Sequence, residues 1–511
     1  MTNRNTQAAW EYHDATKHSQ SSVRSNAHWL DGSNKPIPFK IYPKLEPVRL
    51  DPSIGRTEVP ALLSMSATEL DTETETVPDL KQLSQLLYFS AGVTKKVDYP
   101  GGTQYFRAAS CTGALYEIEL YIVCGALDGL SAGVYQFGPG DFGLRRLREG
   151  DFRGVLLQAS GKNPAVARAP VTMICTGTYW RNAWKYQART YRHFGWDNGT
   201  ILANTLAVAD ALGLPAQVTC GFVDSEVNRL LDLDTEREVA FSMIPLGLGS
   251  ASLGTSRSEV TPLNLDTVPL SKSEVLYPQM SRIHQASSLE TVEEVAAWSG
   301  SVPVAPRPSL DNGAVSLLPL SDSQIPRDSI ESVILRRGST RQFARVPLAM
   351  EQLSTMLDRA TRGIRADFLT PFGSSLNDLY LIVNDVDGIK PGSYVYHPNE
   401  NGLELLKQGD FRGVAAHLGL DQPLPGDASV SVFFLADLGP ILERFGNRGY
   451  RAVQLEAGIL GGKLYLAAYA QRLGATGLTF YDDEVVEFFS PHATGKSAIF
   501  LMALGKSVKL T

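Results

Sequence analysis

The sequence predicts an α+β protein built from two copies of one domain. The hexapeptide Gly150–Val155, GDFRGV, recurs as Gly409–Val414, a shift of 259 residues. The same shift pairs Tyr121 with Tyr380, Gly129 with Gly388, and Gly133 with Gly392. It also pairs Arg189, Tyr191 and Arg192 with Arg448, Tyr450 and Arg451. A shift of 258 then aligns Phe222, Asp224, Glu226 and Val227 with Phe480, Asp482, Glu484 and Val485. A register this steady marks a tandem duplication. With 511 residues in all, each copy is long enough to bury its own core.

The elements of repeat one follow from local pattern. Leu120–Val123 reads as a strand, and Val134–Phe137 with Leu144–Leu147 as a hairpin turning through GPGDFG. Asp151 is placed as the N-cap of a short helix through Leu157. Val171–Ile174 is a buried strand, and residues 198–212 are apolar all round, as a helix between two layers must be. Repeat two offers Gly458–Leu473 as the matching helix. Residues 1–80 are assigned to an N-terminal extension packing on domain one, 81–250 to repeat one, and 331–511 to repeat two. The intervening 251–330 hold 8 Pro and 15 Ser, which reads as a linker with short ordered pieces such as Glu290–Trp298. Such a connection lets the repeats pack as an intramolecular pseudo-dimer, monomeric in solution.

Composition narrows the function. Apolar residues are 43% and charged residues 20%, as in a globular protein. A net charge of −7 argues against a nucleic-acid or anionic-membrane footprint. The polar start MTNRNTQAAWEYHD lacks the apolar core of a signal peptide, and no apolar run reaches a membrane span, so a cytoplasmic protein is expected. Cys111, Cys124, Cys175 and Cys220 have no metal-ligand spacing, and the eight histidines form no H-E-x-x-H pair, so no metal centre is expected. Gly138, Gly140 and Gly143 imitate a dinucleotide fingerprint but fall in the hairpin turn. Thr494–Ser497 imitates the end of a P-loop without its leading glycine.

One segment has the chemistry of an anion site. In Leu335–Phe343, LRRGSTRQF, the alternating Arg337, Ser339 and Arg341 can converge two guanidinium forks and a hydroxyl on one phosphate. The plain alternative is a solvated basic patch ahead of a helix.

R-R-x-S-x-R-x-F ahead of a helix resembles the start of the nitroreductase superfamily, whose members hold FMN at a dimer interface. Within it the chain is most similar to the SagB-type dehydrogenases, which include thiazoline and oxazoline dehydrogenases. Arg107–Tyr116 followed by Glu119–Tyr121 is similar to that branch's R-x-x-P-S-x-G-A-L-Y-P-x-E-L-Y. Lys185-Tyr186 before Arg189, Tyr191 and Arg192 is similar to its K-Y-x-x-R-x-Y-R, and Leu473–Gly477 with Phe480–Glu484 to its C-terminal segment. Tyr12-His13 and Thr16–Ser19 resemble a segment of the larger tandem members.

The resemblance implies roles. Arg337, Ser339 and Arg341 would bind the FMN phosphate. Arg107, Ser110, Cys111, Thr112 and Gly113 would lie against the flavin, with Ser110 and Cys111 replacing the usual proline and serine. A backbone N–H of Thr476 or Gly477 would face flavin N5, and Lys185 and Tyr186 would transfer protons. Repeat one lacks the R-x-S-x-R segment (Ala91–Val97 reads AGVTKKV), and repeat two lacks the G-A-L-Y segment (Leu369–Ser375 instead), so about one FMN per chain is expected. The expected substrate is a small molecule or an azoline peptide. An NAD(P)H-dependent nitro or quinone reductase and a non-catalytic flavin-sequestering protein are the alternatives.

Overall fold

The computed structural model describes residues 2–69, 73–100, 102–250, 253, 259–299 and 314–508. Repeat one carries β1 (Pro47–Arg49), a hairpin of β2 (Val93–Tyr99) and β3 (Gly102–Arg107), then β4 (Ile118–Cys124), β5 (Gly133–Gly138), β6 (Gly143–Glu149), β7 (Val171–Thr178) and β8 (Glu238–Leu246). Its sheet runs β1-β6-β5-β4-β7-β8, antiparallel throughout. Repeat two carries β9 (Val315–Ser316), β10 (Phe343–Ala344), β11 (Asp378–Val383), β12 (Gly392–His397), β13 (Gly402–Gln408), β14 (Val430–Ala436), β15 (Gly474–Leu478) and β16 (Ser497–Ser507). Its central order β13-β12-β11-β14-β16 repeats β6-β5-β4-β7-β8. Strands predicted from alternation fall inside β4, β5, β6 and β7, and Gly138–Gly143 is the turn joining β5 to β6. The helix is Arg153–Ala159 with Phe152 at the N-cap, so Asp151 lies one residue before the cap it was expected to fill, and it accepts the Arg153 N–H at 3.0 Å.

The two long helices, Thr190–Ala211 and Arg448–Ala470, lie side by side in the same direction at the centre. Gly195 faces Gln454, Gly199 faces Gly458, and Gly462 faces Thr200 and Ala203. A Cβ on Gly199 would sit 2.4 Å from the Gly458 backbone, so glycine here is what lets the backbones touch. The Trp196 indole N–H donates to Gln454 Oε1 across the seam at 2.7 Å.

Buried ion pairs then stitch the repeats reciprocally. Arg189 and Arg192 of repeat one meet Asp482 of repeat two at 3.1 and 2.6 Å. Arg448 and Arg451 of repeat two meet Asp224 of repeat one at 2.5 and 2.7 Å. The repeated Arg189, Arg192 and Asp224 and their counterparts Arg448, Arg451 and Asp482 are therefore interface residues. Each cluster is closed by a short helix, Gln7–Ala15 or Pro278–Ala286. Arg192 donates to the His13 carbonyl (2.7 Å) and Thr16 Oγ1 (3.0 Å); Arg451 donates to the His284 carbonyl (2.8 Å) and Ser287 Oγ (2.8 Å). The His18 N–H donates to Asp482 as the Leu289 N–H donates to Asp224. Residues read from composition as extension and linker thus hold matched structural elements. The first bonds to both repeats, since the Ala9 N–H donates to Asn447 Oδ1.

Removing one partner of such a pair strands a buried charge, at a cost of about 3–5 kcal/mol. Asp482→Asn is expected to lower the urea midpoint by that equivalent. The two guanidinium groups hold the Asp224 carboxyl down at about 2 against the cost of burial. The stabilisation is therefore complete above the ordinary aspartate range and is lost as pH falls toward 2. Urea midpoints measured from pH 5 to 2.5 should fall less steeply in Asp224→Asn than in the parent.

Candidate flavin site

The segment expected to hold phosphate is set by the helix Ile330–Arg336, which ends as the chain turns toward β10. The Thr340 N–H donates to the Ala475 carbonyl (2.9 Å), pinning the segment to β15. From there Arg337 reaches into repeat one: its Nε donates to the Ala108 carbonyl at 3.1 Å and Nη2 to that of Arg107 at 3.3 Å. Ser339 Oγ lies 3.2 Å from the Tyr465 hydroxyl, which also accepts the Gly477 N–H at 2.8 Å. Arg341 is exposed and has no hydrogen-bond partner among the described residues. Thr476 is buried on β15 and Gly477 half-buried.

Across the seam stands the loop Ser110–Gly113. Arg107 anchors its root: the buried guanidinium donates to the carbonyls of Pro38 (2.6 Å) and Ile118 (3.4 Å) and packs on the Tyr116 and Phe39 rings. Asp197, from the first long helix, accepts the Thr112 N–H and Oγ1–H, each at 2.9 Å. Gly113 has φ +64, and a Cβ there would lie 2.8 Å from the Tyr186 hydroxyl, so glycine is required twice over. Lys185 Nζ sits 5.2 Å from the Tyr186 ring centre. Burial, then Arg341 and Lys35, lower the Lys185 pKa, whereas burial and the acids Asp197, Cys111 and Glu117 raise that of Tyr186.

All the residues selected from sequence therefore gather around one seam between the repeats. Sequence reasoning missed Tyr465, Asp197 and Glu117. Tyr465 had a signal: its counterpart 259 residues earlier is the apolar Leu206.

The pseudo-symmetric place is built differently. The helix before Arg337 pairs with Ala61–Ser64, through Ala61 N–H to the Asp328 carbonyl and Ile330 N–H to the Val59 carbonyl. At the register of that pairing, Pro60 with Ser329, the counterpart of Arg337–Arg341 in the sequence is the stretch 68–72, TELDT, and not the stretch Ala91–Val97 taken from sequence. Where repeat one extends the hairpin β2–β3, repeat two turns inward. Ala366 bridges Val218 in parallel, and Asp367 accepts the Cys220 and Gly221 N–H groups at 2.9 and 2.7 Å. What remains is a cavity of about 60 Å³ lined in part by Met65, Glu69, Asp210 and Lys463. Burial pushes the Lys463 ammonium down to about 7, and its Nζ donates to the Gly363 carbonyl.

The nitroreductase family model matches residues 77–248 and again 334–506. The chain belongs to the nitroreductase family. It is a tandem member, with two such domains in one chain, and an oxidoreductase by that membership. The crystal structure of an Anabaena variabilis protein named as a nitroreductase superposes with a TM-score of 0.76 at 26% identity, covering 98% of this chain and 99% of that one. A Methanocaldococcus jannaschii protein named as a nitroreductase is 26% identical over 168 residues, 33% of this chain and 80% of its own length. The trifolitoxin-processing protein TfxB of Rhizobium leguminosarum bv. trifolii is 30% identical over 202 residues, 36% of this chain and 54% of TfxB. Members of the family typically bind flavin. At the composite seam stand Arg341, without a hydrogen-bond partner among the described residues, the Ser339 hydroxyl and the Gly113 loop, donors whose chemistry fits a phosphate-bearing cofactor. Among the described residues, no helix is long and apolar enough to cross a membrane.

Proposed function

We propose that the chain is an FMN-dependent oxidoreductase with one flavin, held in the seam between repeat two's Arg337–Arg341 and repeat one's Ser110–Gly113, and that it acts on azolines in a peptide as SagB-type dehydrogenases do. The observation that carries this is the Arg337–Ala108 contact, which brings the two motif-bearing segments together, whereas the pseudo-symmetric place has neither motif and a different lining around Lys463. The partial likeness to a toxin-processing protein supports a peptide substrate.

FMN would supply hydride transfer at N5. Arg337, Ser339 and Arg341 would bind its phosphate, with Arg341 the unengaged charge. Ser110–Gly113 would form one wall of the ring pocket, and the Asp197 clamp on Thr112 fixes that wall. Tyr465 fixes the opposite one by holding the Gly477 N–H and Ser339 together. Lys185 Nζ, its pKa lowered by burial and by Arg341 and Lys35, would be the group that exchanges a proton with the substrate. The Tyr186 hydroxyl stays protonated and can donate.

Purified protein is expected to be yellow, with heat-released flavin close to one per chain; a value near two would mean that the filled site still binds. Arg341→Ala should weaken FMN binding about tenfold to a hundredfold, the equivalent of one charge-assisted hydrogen bond of roughly 1.5–3 kcal/mol. An unchanged dissociation constant with a native circular-dichroism spectrum counts against the phosphate assignment.

A Lys185→Ala, Tyr186→Phe double variant should keep FMN and melt like the parent. Its reduction by a thiazoline-containing peptide should slow by ~10²–10⁴, and the single variants should not add. Dithionite reduction serves as the control. Normal peptide turnover by the double variant would remove the proton-transfer role, and NADPH oxidation with a quinone in place of peptide turnover would favour the reductase reading.

A further inference from the structure

Two departures from the motif in the ring-side loop touch one another. Cys111 stands where the similar motif has serine, and Glu117 where it has proline. The Cys111 sulfur lies 3.3 Å from Glu117 Oε2 and 3.2 Å from Asp197 Oδ2, and accepts the Tyr116 N–H at 3.0 Å. Glu117 is wholly buried and Asp197 is 4% exposed. The sulfur and one oxygen of each acid lie within 4.8 Å of one another.

The donors do not balance if both acids are ionised. A thiol has one hydrogen and cannot serve two carboxylates at once. Asp197 has further donors in Thr112, but Glu117 Oε1 has no partner. No lysine or arginine among the described residues forms an ion pair with either acid. Arg107, at the root of the same loop, turns Nη1 and Nη2 to the Ile118 and Pro38 carbonyls, and its Nε bonds to neither acid. The other titratable groups facing the cluster are Tyr116, Tyr186, Arg337 and Arg341. Two bare carboxylate charges so close and so dry are not sustainable. The filled site shows the contrast. There Glu456, the counterpart of Asp197, accepts the Leu376 N–H (2.9 Å) and the Asn377 amide (2.7 Å), so an amide replaces the second acid.

We propose that Glu117 and Asp197 share a single proton around the Cys111 thiol, and that this proton sets the charge and grip of the loop that forms the ring-side wall of the composite site. Glu117 is then a positioning residue that acts through Asp197 and Thr112. The effect on flavin rests on the FMN reading above; the shared proton does not. With the proton in place the pair carries one negative charge, and on its loss two charges repel beneath the loop. Burial and Glu117 hold the Asp197 carboxyl well above its usual range. The folded chain therefore keeps a proton that the unfolded chain gives up near pH ~4, so stability declines as pH rises until the folded pair has released it.

The test compares the parent with the isosteric Glu117→Gln, which carries no titratable proton. From pH 6 to 9 the parent should lose melting temperature, and its FMN dissociation constant should rise about tenfold for each unit by which the pair's titration differs between the bound and free protein. Glu117→Gln should change much less in both. Infrared spectra of the parent at pH 6 should contain a buried protonated carboxyl band beyond that of Glu456, whose carboxyl burial pushes up to about 7, and this extra band should be missing from Glu117→Gln and kept in Glu456→Gln. Matching pH profiles in the two proteins, absence of the band, or one equivalent of a divalent metal in the purified protein would each overturn the proposal. A protein without flavin would sink the FMN reading alone, because melting and infrared would still report the proton.

Discussion

Four arginines and two aspartates, exchanged across the seam, are the constraint on which this molecule depends. Each repeat buries guanidinium groups that only the other can neutralise, and such charges cannot stay dry without their partner. The parallel glycine-lined helices set the distance, and two ion clusters, Arg189 and Arg192 with Asp482 and Arg448 and Arg451 with Asp224, lock their shared N-terminal end. Because the seam is fixed in this way, loops at its two pseudo-equivalent mouths were free to change without separating the repeats.

They changed in opposite directions. After its first domain helix, repeat one sends the chain outward as the hairpin β2–β3 and back through Arg107 into an open loop. Repeat two sends the equivalent stretch inward, where Ala366 and Asp367 take up backbone groups of residues 218–221. The sequence at 68–72, TELDT, carries no cation where repeat two carries Arg337 and Arg341. One mouth keeps a basic segment and a glycine floor, and the other keeps a small cavity around Lys463. A symmetric dimer of identical chains has no means of making that distinction.

The duplication, the order of strands and the buried helix were legible because identities such as GDFRGV and R-x-Y-R survive at one register. The short helices Gln7–Ala15 and Pro278–Ala286 escaped because their register is 271 and the bonds they repeat are mostly backbone carbonyls, which any side chain can present. Arg337, Ser339 and Arg341 could be picked out by charge pattern. Asp197 could not, since one acid on a long apolar helix reads equally well as a solvated position. The inward turn at residues 363–369 was invisible for a different reason: it is a choice of backbone path, and nothing in GIRADFL announces the strand it meets.

The opposed fates of the two mouths make the halves chemically unequal partners. Repeat one paired with a second copy of itself would present two Ser110–Gly113 loops and no arginine segment; repeat two paired with itself would present two arginine segments and no such loop. Only the mixed pairing sets the arginine segment against that loop, so the fusion fixes a one-to-one stoichiometry of unlike parts. Dilution cannot dissociate that pairing and subunit exchange cannot scramble it. The covalent tether has turned an assembly equilibrium into a property of the gene product.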